Sequence, residues 1–249
     1  MTNKTALVTG AAAGIGRACA IRLAKDGNNV GVLDLDLAKA QLVVDEIVSA
    51  GGKAIALAGS IADRQQVEAA CDKLRDAYGH ITIVVNNAGI SNFIAFEDIT
   101  DEDWKIQFEI NTYGTFVVTQ TVVPDMKAEG WGRVINISSS SAFSGSFEQV
   151  HYSASKGAVV SMTRSLSQAL GKYGITVNNV PPGAVMQTIM SEENKSRFTI
   201  SEETLARMLP VGRTGVPDDI ASAVAWLASE ETGYVTGQTI NVNGGRYTS

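Results

Sequence analysis

The stretch TALVTGAAAGIG, Thr5 to Gly16, decides how this chain folds. Thr5–Thr9 is a short apolar run of strand character, and a helical pattern starts at Ile15 and continues to Lys25. Between them lie glycines at 10, 14 and 16, spaced G-x-x-x-G-x-G rather than the G-x-G-x-x-G of the usual dinucleotide fingerprint. Glycine lets the backbone turn tightly and approach a ligand, and a helix start offers free N–H groups to a phosphate. Strand, glycine turn and helix in that order predict a pyrophosphate-binding loop at the start of an α/β chain.

The same alternation runs outward from this stretch. Strands are predicted at Asn29–Leu33, Lys53–Ala58, Ile81–Asn86, Arg133–Ile137, Ile175–Val180 and Thr239–Val242. Helices are predicted at Leu37–Ala50, Gln65–Tyr78, a long one from Asp101 capped by Thr100, Tyr152–Lys172, and Pro217 to Ser229. Continuously apolar strands alternating with amphipathic helices mean a parallel sheet covered on both faces. No linker or shift in composition divides the chain, so residues 1–249 are read as one domain. The segment Ala184 to Leu209, rich in Met, Glu, Ser and Thr, is too long for an ordinary connection and is read as a lid.

Composition narrows the classes. With 45% hydrophobic and 18% charged residues the chain can bury a sizeable core. A net charge of −6 and the lack of long basic runs argue against nucleic acid. No apolar run approaches the length of a membrane span, and MTNKTALVTG has no signal-peptide pattern, so a cytoplasmic protein is expected. Cys19 and Cys71 sit among alanines in helical patterns and read as buried thiols, while His80 and His151 are too isolated for a metal site.

Two further features carry chemistry. Asp34 ends the second strand, where a carboxylate accepts hydrogen bonds from an adenosine ribose and repels a 2′-phosphate; no Arg or Lys follows until Lys39, which favours NAD over NADP. HYSASK, His151 to Lys156, places Tyr152 and Lys156 one helical turn apart. A lysine ammonium beside a phenol is expected to lower the tyrosine pKa and make it a usable acid and base. Ser139 lies thirteen residues upstream, at the end of a strand.

Together these pieces resemble the short-chain dehydrogenase/reductase family over essentially the whole chain. TGAAAGIG matches its TGxxxGIG loop, Asn86–Gly89 its NNAG motif, and Asn111 in EINTYG its helix asparagine. INISS presents Ser139, YSASK is Y-x-x-x-K, and VTGQTINVNGG resembles the closing strand and tail. The resemblance implies a doubly wound Rossmann-like fold with a seven-stranded parallel sheet. It implies a homotetramer with the Asn111 and Tyr152 helices in one interface, to which an apolar stripe at Ala158, Met162, Leu166 and Ala169 is suited. It makes Asn111, Ser139, Tyr152 and Lys156 the catalytic set: Ser139 holds the substrate oxygen, Tyr152 moves the proton, Lys156 assists and holds the nicotinamide ribose, and Asn111 holds a water. It assigns NAD to Gly10, Ala12, Ala13, Ile15, Asp34, Ser60, Ile61, Asn87, Tyr152, Lys156 and Val185.

The chain departs from the family pattern in four places. Ser60 stands where Asp is common, Pro181 is added before Pro182, and Gln187 with Thr188 replaces a carboxamide-binding threonine. Serines 138 to 141 run in series, so a neighbour of Ser139 is able to share its hydroxyl role.

Substrate residues are expected among Ser91, Phe93, Phe143, Phe147, Gln149, Met186 and Met190, beside Ser139 and Tyr152. This mostly apolar set suits a hydrophobic or cyclic secondary alcohol and its ketone; Arg197 is the nearest cation and reads as solvated. The alternative is a 3-oxoacyl-carrier-protein reductase. That activity usually goes with basic residues where this chain has Gly130 and Tyr173, although Lys127 and Lys172 lie beside them. A non-enzymatic dinucleotide sensor is the third reading, and retention of all four catalytic residues argues against it.

Overall fold

Side chains alternate between the two faces of a strand, so strands made almost entirely of Val, Ile, Leu and Ala must be covered twice. The computed structural model, which describes residues 4–188 and 201–247, shows how this is done. Strands β1 (Thr5–Thr9), β2 (Asn29–Asp34), β3 (Lys53–Ala58), β4 (Ile81–Asn86), β5 (Gly132–Ile137) and β6 (Ile175–Val180) form one parallel sheet in the order β3-β2-β1-β4-β5-β6. Helices α1 (Gly14–Lys25) and α2 (Leu37–Ser49) and the helix Pro217–Ala228 cover one face, around Val8, Leu23, Val43, Ile47 and Val224. Helices α3 (Arg64–Tyr78), α5 (Thr115–Glu129) and α7 (Val150–Leu170) cover the other, around Leu7, Leu74, Val118, Met126 and Leu170. The chain winds outward from β1 one way and from β4 the other way, which opens a crevice at the carboxyl ends of these two strands.

Two predictions need correction. Thr239–Val242 is not a seventh strand but makes two isolated parallel bridges, Asn179 with Thr239 and Pro182 with Val242. Side chains interrupt the ladder: Gln238 N–H donates to Asn178 Oδ1 at 3.1 Å and Val177 N–H to Thr236 Oγ1 at 3.0 Å. The long helix from Asp101 is also not continuous. It runs as α4 (Asp101–Phe108), then a π turn over Glu109–Gly114, then α5. Its start forms as expected: Asp103 N–H donates to Thr100 Oγ1 at 3.1 Å, and Thr100 N–H returns to Asp103 Oδ2 at 3.0 Å.

Part of the segment read as a lid is a short helix, Glu202–Met208, while residues 189–200, with Met190 and Arg197, lie outside the described residues. Cys19 and Cys71 are buried, and burial pushes both thiols up to about 12. Among the described residues no helix is long and apolar enough to cross a membrane, and no acidic, His or Cys group is placed to hold a metal ion.

Candidate active site

The glycine loop closes directly onto the turn after β4. Gly10 and Gly14 have φ of 61° and 53°, which favours glycine. A Cβ on Gly10 would sit 2.9 Å from Ala88 Cα, and one on Gly16 only 2.2 Å from the Gly10 carbonyl oxygen. Thr9 Oγ1 accepts from Asn87 N–H at 3.1 Å and Ala88 N–H at 3.0 Å, and Asn87 Nδ2 donates to the Thr9 and Gly10 carbonyls, both at 3.0 Å. The Asn87 amide nitrogen, expected at a ribose, therefore stitches the two loops of the crevice together. No side chain caps the first turn of α1 at Ala13, so the N–H groups from Gly14 and Ile15 onward remain available to an anion.

Asp34 stands beside this loop. Its Oδ2 accepts from Ala12 N–H at 3.0 Å and its Oδ1 from Asp36 N–H at 3.2 Å. Gly59 N–H donates to the Asp34 carbonyl at 3.1 Å, which brings Ser60 to the same rim. The Ser60 hydroxyl accepts from Ala62 N–H at 3.3 Å. Ile61 is buried in the core, where a Cβ on Gly114 would meet its Cδ1 at 2.6 Å. A ribose-side cradle with glycines where side chains would collide, open N–H groups and one carboxylate fits a dinucleotide without a 2′-phosphate.

The catalytic candidates meet at the crevice. Ser139 follows β5, and Ser141 holds its Oγ by donating from the backbone at 3.2 Å and from the hydroxyl at 3.0 Å. Tyr152, 7% exposed, lies one turn into α7 and hydrogen-bonds Ser139. Lys156 Nζ donates to the Ile137 carbonyl at 2.9 Å and lies 6.0 Å from the Tyr152 ring centre. This corrects the expected electrostatics. Burial holds the Tyr152 phenol above its ordinary 10, with only the Ser139 hydrogen bond opposing, because the ammonium is turned toward Ile137. Burial also pulls Lys156 down to about 8.

Asn111 sits in the π turn, a helical irregularity often found at functional sites. Its Oδ1 accepts from Ile90 N–H at 2.9 Å; its Nδ2 donates to the Ile90 carbonyl and to Ser155 Oγ, both at 3.0 Å. Its backbone carbonyl, the expected water site, accepts from Thr115 Oγ1 at 2.9 Å. Gly89 separates Asn111 from Lys156: a Cβ there would lie 2.8 Å from Asn111 Oδ1 and 3.2 Å from Lys156 Nζ.

The expected substrate residues divide. Gln149, nearly buried, donates from Nε2 to Ser91 Oγ at 2.6 Å and accepts from Ser146 Oγ at 2.9 Å, so Ser91 and Gln149 form one wall. Phe93 is half-buried beside them, and Ile94 N–H donates to the Glu148 carbonyl at 2.8 Å. Phe147, 86% exposed, stands out of this wall, and Phe143 stacks on Tyr247 with ring centres 5.9 Å apart. Val185 and Met186 pair with Gly215 beyond the Pro182 turn, and Val185 lines a cavity with Leu209, Val211 and Arg213 that none of the four catalytic candidates reaches. Sequence reasoning missed Thr9, Ser141, Gly89 and Gln107. It also passed over Thr188, whose Cα would lie 3.5 Å from a Cβ on Gly14.

The family model described as Enoyl-(Acyl carrier protein) reductase matches residues 10–247. Among curated proteins, the BbsD subunit of (2S)-[(R)-hydroxy(phenyl)methyl]succinyl-CoA dehydrogenase from Thauera aromatica is 38% identical over 246 residues, covering 98% of this chain and 96% of that protein. Acetoacetyl-CoA reductase from Cupriavidus necator is 35% identical over 246 residues, and covers 98% of each chain. The 3-oxoacyl-[acyl-carrier-protein] reductase FabG from Staphylococcus aureus is 38% identical over 249 residues, again covering 98% of each.

Proposed function

The chain belongs to the short-chain dehydrogenase/reductase family, and on that footing we propose that it interconverts a 3-hydroxyacyl thioester and its 3-oxoacyl form with NAD as hydride carrier. The observation that carries the reaction type is the buried Ser139–Tyr152 pair with Lys156 at the open end of the crevice. The relatives' printed names all describe acyl thioesters bearing a hydroxyl or keto group. That moves the thioester reading ahead of a free hydrophobic alcohol.

Bound NAD supplies the hydride acceptor, and NADH the donor. The protein's part is to bind, orient and move a proton. The glycine loop from Gly10 to Ile15 holds the pyrophosphate on the open start of α1, and Asp34 takes the ribose hydroxyls. Ser139, held from behind by Ser141, fixes the substrate oxygen. The Tyr152 hydroxyl gives that oxygen a proton in reduction and removes it in oxidation. Lys156 is drawn down to about 8 by burial, so it is able to take part in proton traffic near neutral pH. Ser91 and Gln149 present polar groups toward the acyl chain.

The preference for NAD is supported by the Asp34 carboxylate, fixed by Ala12 and Asp36. Residues 1–249 act as one dinucleotide-binding and catalytic domain. Trp104, Tyr113 and Phe116 are exposed on α4, the π turn and α5. The stripe Ala158, Met162, Leu166 and Ala169 is half-buried or exposed. These faces support a homotetramer, which light scattering would test.

The assay follows reduced nicotinamide with 3-hydroxybutyryl-CoA, a carrier-linked 3-oxo substrate and a free cyclic alcohol, each with NAD and NADP. Turnover of a thioester with NAD is expected. Turnover of the free alcohol alone would restore the simpler dehydrogenase, and tight NAD binding with no turnover of any substrate would leave a sensor.

A further inference from the structure

Gln107 and His151 are both fully buried, yet Gln107 Oε1 and both ring nitrogens of His151 have no hydrogen-bond partner among the described residues. Buried polar atoms without partners are costly and uncommon. The other end of the Gln107 amide is fixed: Nε2 donates to the Ile90 carbonyl at 2.6 Å, so the amide cannot be turned round. Its oxygen therefore needs a donor from elsewhere.

The helix packing indicates which donor. Both α4–α5 and α7 are crossovers on the same face of the sheet between adjacent parallel strands, so they run parallel, and α4 packs on α7. Asn111 is bonded to Ser155 across this seam. One turn earlier on one helix is Gln107, and one turn earlier on the other is His151. Asp103, a turn before Gln107, is the charged group that acts on His151. Burial outweighs its pull and keeps the ring neutral, with one N–H to donate.

We propose that a His151 N–H donates to Gln107 Oε1, and that this couple is a positioning device for the active site. Gln107 and Asn111 share the Ile90 carbonyl as acceptor, so fixing Gln107 fixes Ile90, and Ile90 in turn fixes Asn111 against the helix that carries Tyr152 and Lys156. The couple touches no reacting atom.

The kinetic half of the test rests on the thioester reading above; the spectroscopic half does not. The chain has two histidines, so a ¹⁵N-histidine spectrum shows His151 and the exposed His80 as separate signals. We expect a slowly exchanging, hydrogen-bonded ring N–H on His151 that disappears in Gln107→Met. The same signal in both proteins, or a ring that titrates near its free value of about 6.5, would overturn the proposal. In kinetics, Gln107→Met and His151→Leu should each lower kcat about 10- to 100-fold, the scale expected when catalytic groups are misplaced, with the Kd for NAD changed less than about twofold. The double variant should fall no further than the worse single, because both remove one bond. His151→Asn, which keeps a donor, should recover most of the loss and replaces His151→Leu if that protein does not fold. Losses that multiply, or single variants with wild-type kcat, would refute the coupling. A wild type that turns over no thioester would instead sink the proposed function and leave the spectrum to decide.

Discussion

Gly89→Ala tests the spacing of the catalytic groups with one methyl. The added carbon would lie 2.8 Å from Asn111 Oδ1 and 3.2 Å from Lys156 Nζ. Comfortable contact begins at about 3.5 Å, so the Asn111 oxygen would have to retreat by roughly 0.7 Å. Neither neighbour is free to move: Oδ1 is tied to Ile90 N–H at 2.9 Å and Nζ to the Ile137 carbonyl at 2.9 Å. A displacement approaching 1 Å in groups that orient a reaction costs up to about 100-fold, so a fall of about tenfold in kcat is expected. Overpacking at such a site costs about 1–3 kcal/mol, and in a chain of this size that lowers Tm by roughly 2–12 °C. The assay pairs steady-state kinetics with a melting curve and an NAD titration, because loop and carboxylate contacts to NAD should survive. Wild-type kcat and Tm in Gly89→Ala would refute the claim that Asn111 and Lys156 are held in fixed positions across this gap.

Three other outcomes are expected. Tyr152→Phe should lose activity by at least the ~10²–10⁴-fold typical of acid–base catalysis while NAD still binds; a nearly active variant would remove Tyr152 from the proton transfer. Asp34→Ser should shift the ratio of kcat/KM toward NADP by about tenfold or more, since a carboxylate near a phosphate is repelled by about 1–4 kcal/mol; a wild type that already prefers NADP would contradict the reading of Asp34. Lys156→Met should abolish turnover yet raise Tm at neutral pH by removing a buried charge. The folded lysine releases its proton at about 8 and the unfolded one near 10.5, so between these values the unfolded chain binds more protons and wild-type stability rises with pH. Above about 10 the raised Tyr152 opposes this, because the folded phenol keeps a proton that the unfolded chain loses. Parallel stability–pH curves for wild type and Lys156→Met from pH 8 to 10 would count against it.

The sheet was legible in the sequence because its strands are buried on both faces, which leaves apolar runs that nothing else explains. β1, β3, β4 and β6 start and stop where their side chains predict. The closing strand was misread because Asn178 and Asn179, within an apolar β6, use their side chains to bond the segment that should have paired by backbone alone. The π turn left no mark, since the apolar spacing continues from Trp104 to Val118 with no proline to signal a break. Asp34, Ser139, Tyr152 and Lys156 were legible through spacing and resemblance together. Their surroundings were not: a glutamine in a helix reads as solvated surface, yet Gln107 is buried against Ile90. Lys156 was expected to act on Tyr152 because the two are a turn apart. Spacing could not reveal that the Ile137 carbonyl competes for the ammonium.

The π turn also changes what a deletion would do. Removing one residue from an α-helix rotates everything after it by about 100°, and normally carries the buried face out of the core. Glu109–Gly114 already holds one residue more than an α-helix needs for its length. Deleting Thr112 would let this stretch close into ordinary helix, with Gln107 still facing α7 and Val117, Val118 and Val122 still in the core. What would go is the bond from Thr112 Oγ1 to the Ser155 carbonyl, at 3.2 Å, and the widened backbone around Asn111. In this one turn the chain can be shortened without losing its fold, and its length here is kept by the site alone.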